Sequence, residues 1–429
     1  MTNKTNAAYG DKTNMVTQAV GLFATHMQRN STLNLLAGKM QKGEAGADAT
    51  LRKQTTQHMP IVRVQDLGKG RGDEVTFHLL NPVGAYPIMG SAHAEGRGVG
   101  MSLNEDRLRV NQARFPVDLG NVMSQIRSPA DLRKLGRPVA QSLMDRYCDQ
   151  STLVHMAGAR GFHDNIEWAI PTDNHPEFKE IMVNRVKAPT KNRHFLVDGS
   201  GVQLFKQTAD EVQIETGDLF TMDAVDSMKS VLDTIALPPP ICKFEGDSNA
   251  DDSPIRVWLV SPDQYNKFAS QPGFRSFQAA AWARASQAKQ HPLFTGDVGI
   301  WNNFIIRKMP RPIRFYAGDI IKYCAAYDSE VESSAIVPAS FGDKFAVDRS
   351  IILGGQALAE AMASSEHSGA PFFWSEKELD HGDKWELLIG AVRGVSKIRF
   401  DVNTGERQEF TDYGVTVVDT AVPIFGRGL

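Results

Sequence analysis

The stretch GKGRGDEVTFHLLNPVGAYPIMGSAHAEGRGVG, residues 68–100, carries eight glycines in thirty-three positions, about three times the ~7% background of ordinary proteins. Strand-like runs flank it. Val75-Thr76-Phe77-His78-Leu79-Leu80 leads in, and Arg107-Leu108-Arg109-Val110 leads out with charged and apolar residues alternating, the period-2 mark of a half-exposed strand. More than twenty residues separate the two runs, far beyond the ~2–5 of a hairpin loop. A two-stranded ribbon is marginally stable alone in water. The sequence therefore predicts a long arm that rests on something outside its own domain, and a second copy of the chain is the expected support.

Working outward, the chain has 429 residues, enough for a sizeable core in two or three domains. Apolar residues make up 41% and charged residues 23%, a globular composition. The net charge of -3 lacks the basic excess of a dedicated nucleic-acid binder. No apolar run approaches the length of a transmembrane helix, and the N-terminus MTNKTNAAYGDKTN has no secretory h-region. Cys148, Cys242 and Cys324 are scattered and odd in number, as expected for reduced thiols rather than a disulfide framework.

Residues 1–58 are polar, with seven Lys/Arg against three Asp/Glu, and read as an extended arm with one amphipathic helix over Val16–Met27. After the glycine-rich stretch, Ser128-Pro129-Ala130-Asp131 is a helix-start signal. Gly136 is expected to end that short helix and Pro138 to open a longer one to about Gly158, with Val139, Leu143, Tyr147 and Val154 on its apolar face. Thr221 is expected to cap a helix bearing Met222, Val225, Met228, Leu232 and Ile235, stopped by Pro238-Pro239-Pro240. Glu245–Ser253 reads as an acidic loop. Ile255–Val260 reads as a buried strand, Ser261-Pro262 as the cap of a helix through Phe268, and Phe274–Lys289 as an alanine-rich helix. Ile300–Ile306 is strand-like. Ser350–Leu353 is a strand expected to break at Gly354-Gly355 into a helix over Gln356–Met362. Trp385–Val392, Val395–Phe400 and Val415–Val418 alternate as strands. The fold class is α+β, with an α/β block over 215–365 between strand-rich ends.

Chemical motifs are weak throughout. Gly68-Lys69-Gly70-Arg71-Gly72-Asp73 is no phosphate loop, because the G-x-x-x-x-G-K-[ST] order is missing and no helix follows. It reads as a hinge, and Arg71-Gly72-Asp73 as a turn rather than an adhesion tripeptide. His155, His163 and His175 lie near Asp164, Glu167 and Asp173, but without H-E-x-x-H or C-x-x-C spacing, so neither metal nor cofactor is expected. The acidic groups Asp247–Asp252 and Glu376–Asp383 lack EF-hand spacing. No G-x-S-x-G elbow occurs. From Arg63 to Arg114 there are seven basic and six acidic residues, a mixed-sign pattern suited to pairing with a similar neighbour. Candidate inter-subunit residues are Arg97, Glu95, Glu105, Arg107, Arg109 and Arg114. Candidate hinges of the arm are Gly68, Gly70, Gly72, Gly84, Gly90, Gly96, Gly98 and Gly100.

Five stretches in order resemble a known family. They are the arm before the Pro138–Gly158 helix, Arg256–Pro262 with Tyr265, Gly299–Ile306, Ile351–Leu358, and Asp412–Thr420. Together they resemble the major capsid proteins of tailed bacteriophages with the Hong Kong 97-like fold, most closely the podophage-type subgroup that includes the phage N-four coat protein. The resemblance covers about residues 60–425. It implies an N-terminal arm (1–58), an extended loop with flanking strands (59–117), a peripheral domain with a long spine helix (118–214), an axial domain (215–365) and C-terminal strands returning to the peripheral domain (366–429).

The function implied is a coat protein of the virion. It would assemble in the host cytoplasm as hexamers and pentamers of an icosahedral shell around double-stranded DNA, with no catalytic residues. Because some 58 residues precede the fold, a separate scaffolding protein is the expected partner, beside a portal, a possible decoration protein and weakly held DNA; no membrane is expected. Two alternatives remain at this point: a mixed α/β enzyme with a glycine-rich lid, and an encapsulin-like cellular shell.

Overall fold

A computed structural model of the chain describes residues 36–37, 55, 58–67, 74–80, 87–98, 103–123, 132–199, 201–235, 237–244, 255–271, 299–363, 371–403 and 408–424. The expected helices at Val16–Met27 and Phe274–Lys289, the acidic loop Glu245–Ser253 and the Ser128–Asp131 cap lie outside these residues. Strand β1 (Ile61–Leu67) is followed by β2 (Glu74–Leu80) and β3 (Leu103–Arg109). Among the described residues the last two pair only with each other, antiparallel, from Glu74↔Arg109 to Leu80↔Leu103. Val110 alone separates β3 from β4 (Asn111–Asn121), which turns into a different sheet.

Helix α1 (Leu132–Ala157) is one continuous element with Pro138 inside it, which corrects the expectation of two helices split at Gly136. The glycine serves close packing instead. A Cβ at Gly136 would lie 2.1 Å from Leu119 Cδ2, so its absence lets β4 rest against the helix. The buried stripe is Ala140, Met144, Tyr147 and Cys148, while Val139 is 51% exposed. Tyr147 and Val154 thus lie on the buried face as expected, whereas Val139 does not. The Phe115 ring on β4 meets Tyr147 edge-on at 5.7 Å.

After the short helix α2 (Phe178–Met182) come β5 (His194–Asp198), β6 (Gly201–Leu204), β7 (Gln207–Thr208) and β8 (Glu211–Val212). Helix α3 (Met222–Thr234) begins where expected, with the Thr221 hydroxyl accepting from the Ala224 amide. Strand β9 (Arg256–Val260) is buried throughout, and α4 (Pro262–Ala269) opens on a reciprocal Ser261–Gln264 capping box. Residues 300–306 make a hairpin rather than one strand. Asn302 and Asn303 take φ of 42° and 67° between β10 (Gly299–Trp301) and β11 (Phe304–Lys308), as a two-residue turn of this hand requires.

The chain continues through β12 (Ile313–Phe315), β13 (Ile320–Cys324), β14 (Glu332–Ile336) and β15 (Phe345–Leu353). The segment expected as a helix at Gln356–Met362 is strand β16 (Leu358–Ala363), held between β1 and the long β18 (Lys384–Lys397). Its Leu-Ala-Glu-Ala-Met composition favours helix, but pairing on both edges outweighs a propensity worth only tenths of a kcal/mol per residue. Strands β17 (Phe372–Leu379), β19 (Arg399–Asn403), β20 (Gln408–Asp412) and β21 (Val415–Pro423) complete the chain.

Two sheets carry the body. In the five-stranded sheet, β18 pairs antiparallel with β4, β16 and β17, and β1 adds in parallel to β16. The other has eight strands, ordered β10-β11-β9-β15-β21-β5-β6 with β12 beside β15. Residues 366–429 thus divide between the sheets: β17 and β18 join the first and β21 the second. The eight-stranded sheet is covered on both faces. Trp258, Val260, Phe304, Ile306, Ile352 and Val418 meet α3 and α4, whereas Val257, Leu259, Ile305, Ile351 and Val417 enter the main core. Each such side chain contributes about 1.5–3 kcal/mol by burial. This explains why its strands read as nearly continuous apolar runs. A smaller sheet, β13-β14-β8-β7, and the β19–β20 hairpin sit beside these.

Candidate assembly surface

The sequence candidates that fall among the described residues lie on the β2–β3 ribbon, the segment between its strands, and β4. Residues 87–98 are all exposed, including Met89 at 77%. Gly90 and Gly96 take φ of 65° and 77°, and a Cβ at either, or at Gly98, would meet no atom within 4 Å. Glu95 and Arg97 lie on this tip, where the Arg97 amide closes a turn on the Ala94 carbonyl at 3.2 Å. Gly68, Gly70, Gly72, Gly84 and Gly100 lie outside the described residues, as does the Arg71-Gly72-Asp73 turn. Glu105 sits in β3 opposite His78. Arg107 is exposed, and Arg109 is spent on a partner within the ribbon, Glu74, at 2.7 Å. Arg114 stands on β4 opposite Gly390 and borders a cleft shared with Tyr147, Glu177 and Glu180.

What ties the ribbon to the body was not visible in the sequence. The Lys187 ammonium meets Asp106 at 2.8 Å. Asn184 holds both backbone polar groups of Arg109 through its side chain, accepting at 2.9 Å and donating at 2.9 Å. Gly394 on β18 lets the ribbon base approach, since a Cβ there would lie 2.0 Å from the Arg109 carbonyl oxygen.

The body behind the arm is cross-braced by buried charge. Glu360 on β16 accepts from Arg63 at 2.5 Å and from Arg393 at 2.7 Å. Arg393 also donates to the Cys148 carbonyl, Ser151 and Thr152 of α1. Burial pushes the Glu360 carboxyl up, but Arg63 and Arg393 outweigh it and hold it at about 2. Arg349 makes a bidentate pair with Asp419 at 2.7 and 2.8 Å and caps α1 through the Ala157 carbonyl. Arg314 grips Asp348 the same way, and Asp412 joins Lys397 and Arg399 at 2.7 and 2.8 Å. Such pairs give little net stability, whereas losing one partner is costly.

The three histidines do not converge. His155 is buried against the Met182 carbonyl at 3.4 Å, His163 meets the Tyr316 hydroxyl, and His175 accepts from the Glu177 amide. Among the described residues, no group of three or more His, Cys, Asp or Glu side chains is placed to hold a metal ion. All three cysteines are free and buried, and burial pushes the Cys148 and Cys242 thiols up to about 11 and 12.

The buried histidines set a pH limit. Burial pulls His155 down to about 3, with Arg393, Lys397 and Lys187 adding to the effect against the Met182 carbonyl. Burial likewise pulls His194 down to about 4, although Asp419 accepts from it at 2.7 Å. In the unfolded chain both titrate near ~6.5. Between these values the unfolded state binds more protons, so stability falls as pH drops below about 6.5. At pH 5 the loss is about 2 kcal/mol for each histidine. Glu360, Asp412 and Asp419, all held low by their cationic partners, add loss in the same direction below about pH 4.5. The expected result is a denaturation midpoint that drops between pH 7 and 5. A midpoint flat over that window would refute neutral burial of these rings.

The comparisons with known proteins give the class. A family model described as phage capsid protein matches residues 6–424. The chain belongs to that family, whose members are structural proteins of the virion capsid, and it is a major capsid protein of the phage head shell. No curated protein matches. Among solved structures, the capsid of Ralstonia phage GP4 is 20% identical with a TM-score of 0.64, over 90% of this chain and 96% of that one. The cyanophage Pam1 capsid is 13% identical with a TM-score of 0.56, over 92% and 99%. The capsid of Helicobacter pylori bacteriophage KHP30 is 12% identical with a TM-score of 0.54, over 90% and 94%. These likenesses show the Hong Kong 97-like fold. The reading of the arm as the lid of an enzyme gives way to the family. Among the described residues no helix is long and apolar enough to cross a membrane.

Proposed function

We propose that copies of this chain join as hexamers and pentamers, each laying its β2–β3 arm over a neighbour, to close an icosahedral shell around double-stranded DNA. The observation that carries this reading is the arm itself: a ribbon paired only with itself among the described residues, with an exposed apolar tip. An isolated ribbon of that length needs outside support. Helix α1 and the five-stranded sheet would form the peripheral domain. The eight-stranded sheet with α3 and α4, taking β21 back from the C-terminal end, would form the axial domain that meets its copies around the five-fold and six-fold centres. A heterologous contact of this kind closes into rings, and many modest contacts sum once the shell closes.

The partners in this reading are a separate scaffolding protein, a portal, and a decoration protein if one is used. With a net charge of -3, the chain suits a container that holds DNA loosely, since a strongly basic lining would bind phosphate tightly. The test is light scattering with negative-stain imaging of the purified chain. Rings of six copies of 47.3 kDa, about 284 kDa, or round megadalton shells are expected. A monomer or dimer at high concentration, even with the scaffolding protein present, would count against the reading.

A further inference from the structure

Val183 has φ 64° and ψ −61°, and the Asn184 amide donates to the Met182 carbonyl at 2.7 Å. This is a γ-turn of the rare, strained hand. It is occupied by a β-branched residue, the type that resists positive φ most. Such a conformation persists only where the surroundings impose it. Clefts of about 370 and 490 Å³, both bordered by Val183, flank the turn. What the turn delivers is Asn184.

The Asn184 side chain has one acceptor oxygen and two N–H donors, and the ribbon base uses both kinds. Its Oδ1 accepts from the Arg109 amide at 2.9 Å. Its Nδ2 donates to the Arg109 carbonyl at 2.9 Å and to the Val395 carbonyl on β18 at 3.1 Å. Arg109 is the last residue of β3, and Val110 is the only residue before the chain enters the five-stranded sheet. The direction in which the ribbon departs is therefore governed at its base, where Leu108 is also buried against Ala359, Ala361 and Phe400. Lys187 on Asp106 tethers the same strand from the same segment, three residues beyond Asn184.

We propose that Asn184, presented by the strained Val183 turn, is the positioning residue that fixes the departure angle of the assembly arm. The strain is retained for arm geometry and not for subunit stability. The inference rests on the reading of the ribbon as an arm that reaches a second copy. A shell needs each arm to leave its subunit at a controlled angle, because angular scatter at the base is magnified at the tip.

The test uses the full chain and three variants. N184A removes the clamp. N184D keeps the acceptor but sets a carboxylate oxygen against two carbonyl oxygens. V183G relieves the turn. In unassembled protein, the Arg109 amide is expected to exchange about tenfold faster in N184A, the effect of one lost hydrogen bond. All three variants are expected to give open sheets or shells of broadened diameter, while V183G keeps or raises the thermal midpoint. A merely structural role predicts uniform shells from V183G, whatever its stability. Uniform shells from all three, or unchanged Arg109 exchange in N184A, would overturn the inference. Should N184A fail to fold, N184D and V183G carry the comparison. A parent chain that forms no shells overturns the assembly reading itself, a result distinct from parent and variants assembling alike.

Discussion

Deleting residues 84–100 abolishes closed shells and leaves the subunit folded: this is the largest assembly effect expected of any change to the chain. Residues 87–98 are exposed throughout, and Ile88 and Met89 present apolar surface to solvent. Neither buried cluster that forms the body of the molecule includes a residue of the tip. Exposed positions of this kind change stability by no more than about 0.5 kcal/mol each, so the thermal midpoint of the unassembled chain should move by a few degrees at most. In the proposed assembly, loss of the arm removes one contact from every subunit at once, and the shell depends on the sum. Circular dichroism and imaging of one preparation decide the matter. Shells of normal size from the deleted chain would show that the arm does not join subunits. An unfolded deleted chain would show that it belongs to the core.

The second large effect falls on folding. Replacing Glu360 by Ala should cost about 3–5 kcal/mol, read from denaturant midpoints. Glu360 is 1% exposed and lies between Arg63 and Arg393, themselves 2% and 5% exposed. Its loss takes the carboxylate away from two buried guanidinium groups, a costly change in the core. Replacing all three by apolar residues of similar volume should recover most of the loss, because the desolvation cost disappears together with the attraction. Against a total stability of ~5–15 kcal/mol, the single change alone threatens the fold. A cost under about 1 kcal/mol would mean that water reaches the site and that the triad does not lock β1, β16, β18 and α1 together.

The residue order already held much of the architecture. The Thr221 cap, the Ser261-Pro262 start and the largely apolar β9 were legible because each rests on local chemistry: a hydroxyl that reaches an orphan amide, or a run of β-branched and aromatic side chains. The Asn302-Asn303 turn was legible in principle, since Asn tolerates positive φ at both central positions of a tight hairpin, and reading 300–306 as one strand overlooked it. The ribbon was visible as glycine density flanked by alternation.

The failures share a cause. Leu358–Ala363 favours helix on its own residues and becomes a strand because β1 and β18 occupy both its edges. Gly136 and Pro138 mark helix ends in isolation, yet here the glycine makes room for Leu119, which lies seventeen residues away. Asn184, Lys187 and Gly394 carry no motif. Each matters only because the fold brings it to Arg109 or Asp106, up to 285 positions distant along the chain for Gly394. By itself, then, the sequence determined the α+β character and the glycine-rich ribbon, which follow from composition, periodicity and local conformational preference, while the class of protein rested on five ordered stretches that resemble the phage coat proteins. Which strands pair, which charges share the core and how the arm is clamped were decided only by the tertiary structure, because pairing and burial energies between distant segments exceed the small local propensities that a sequence displays.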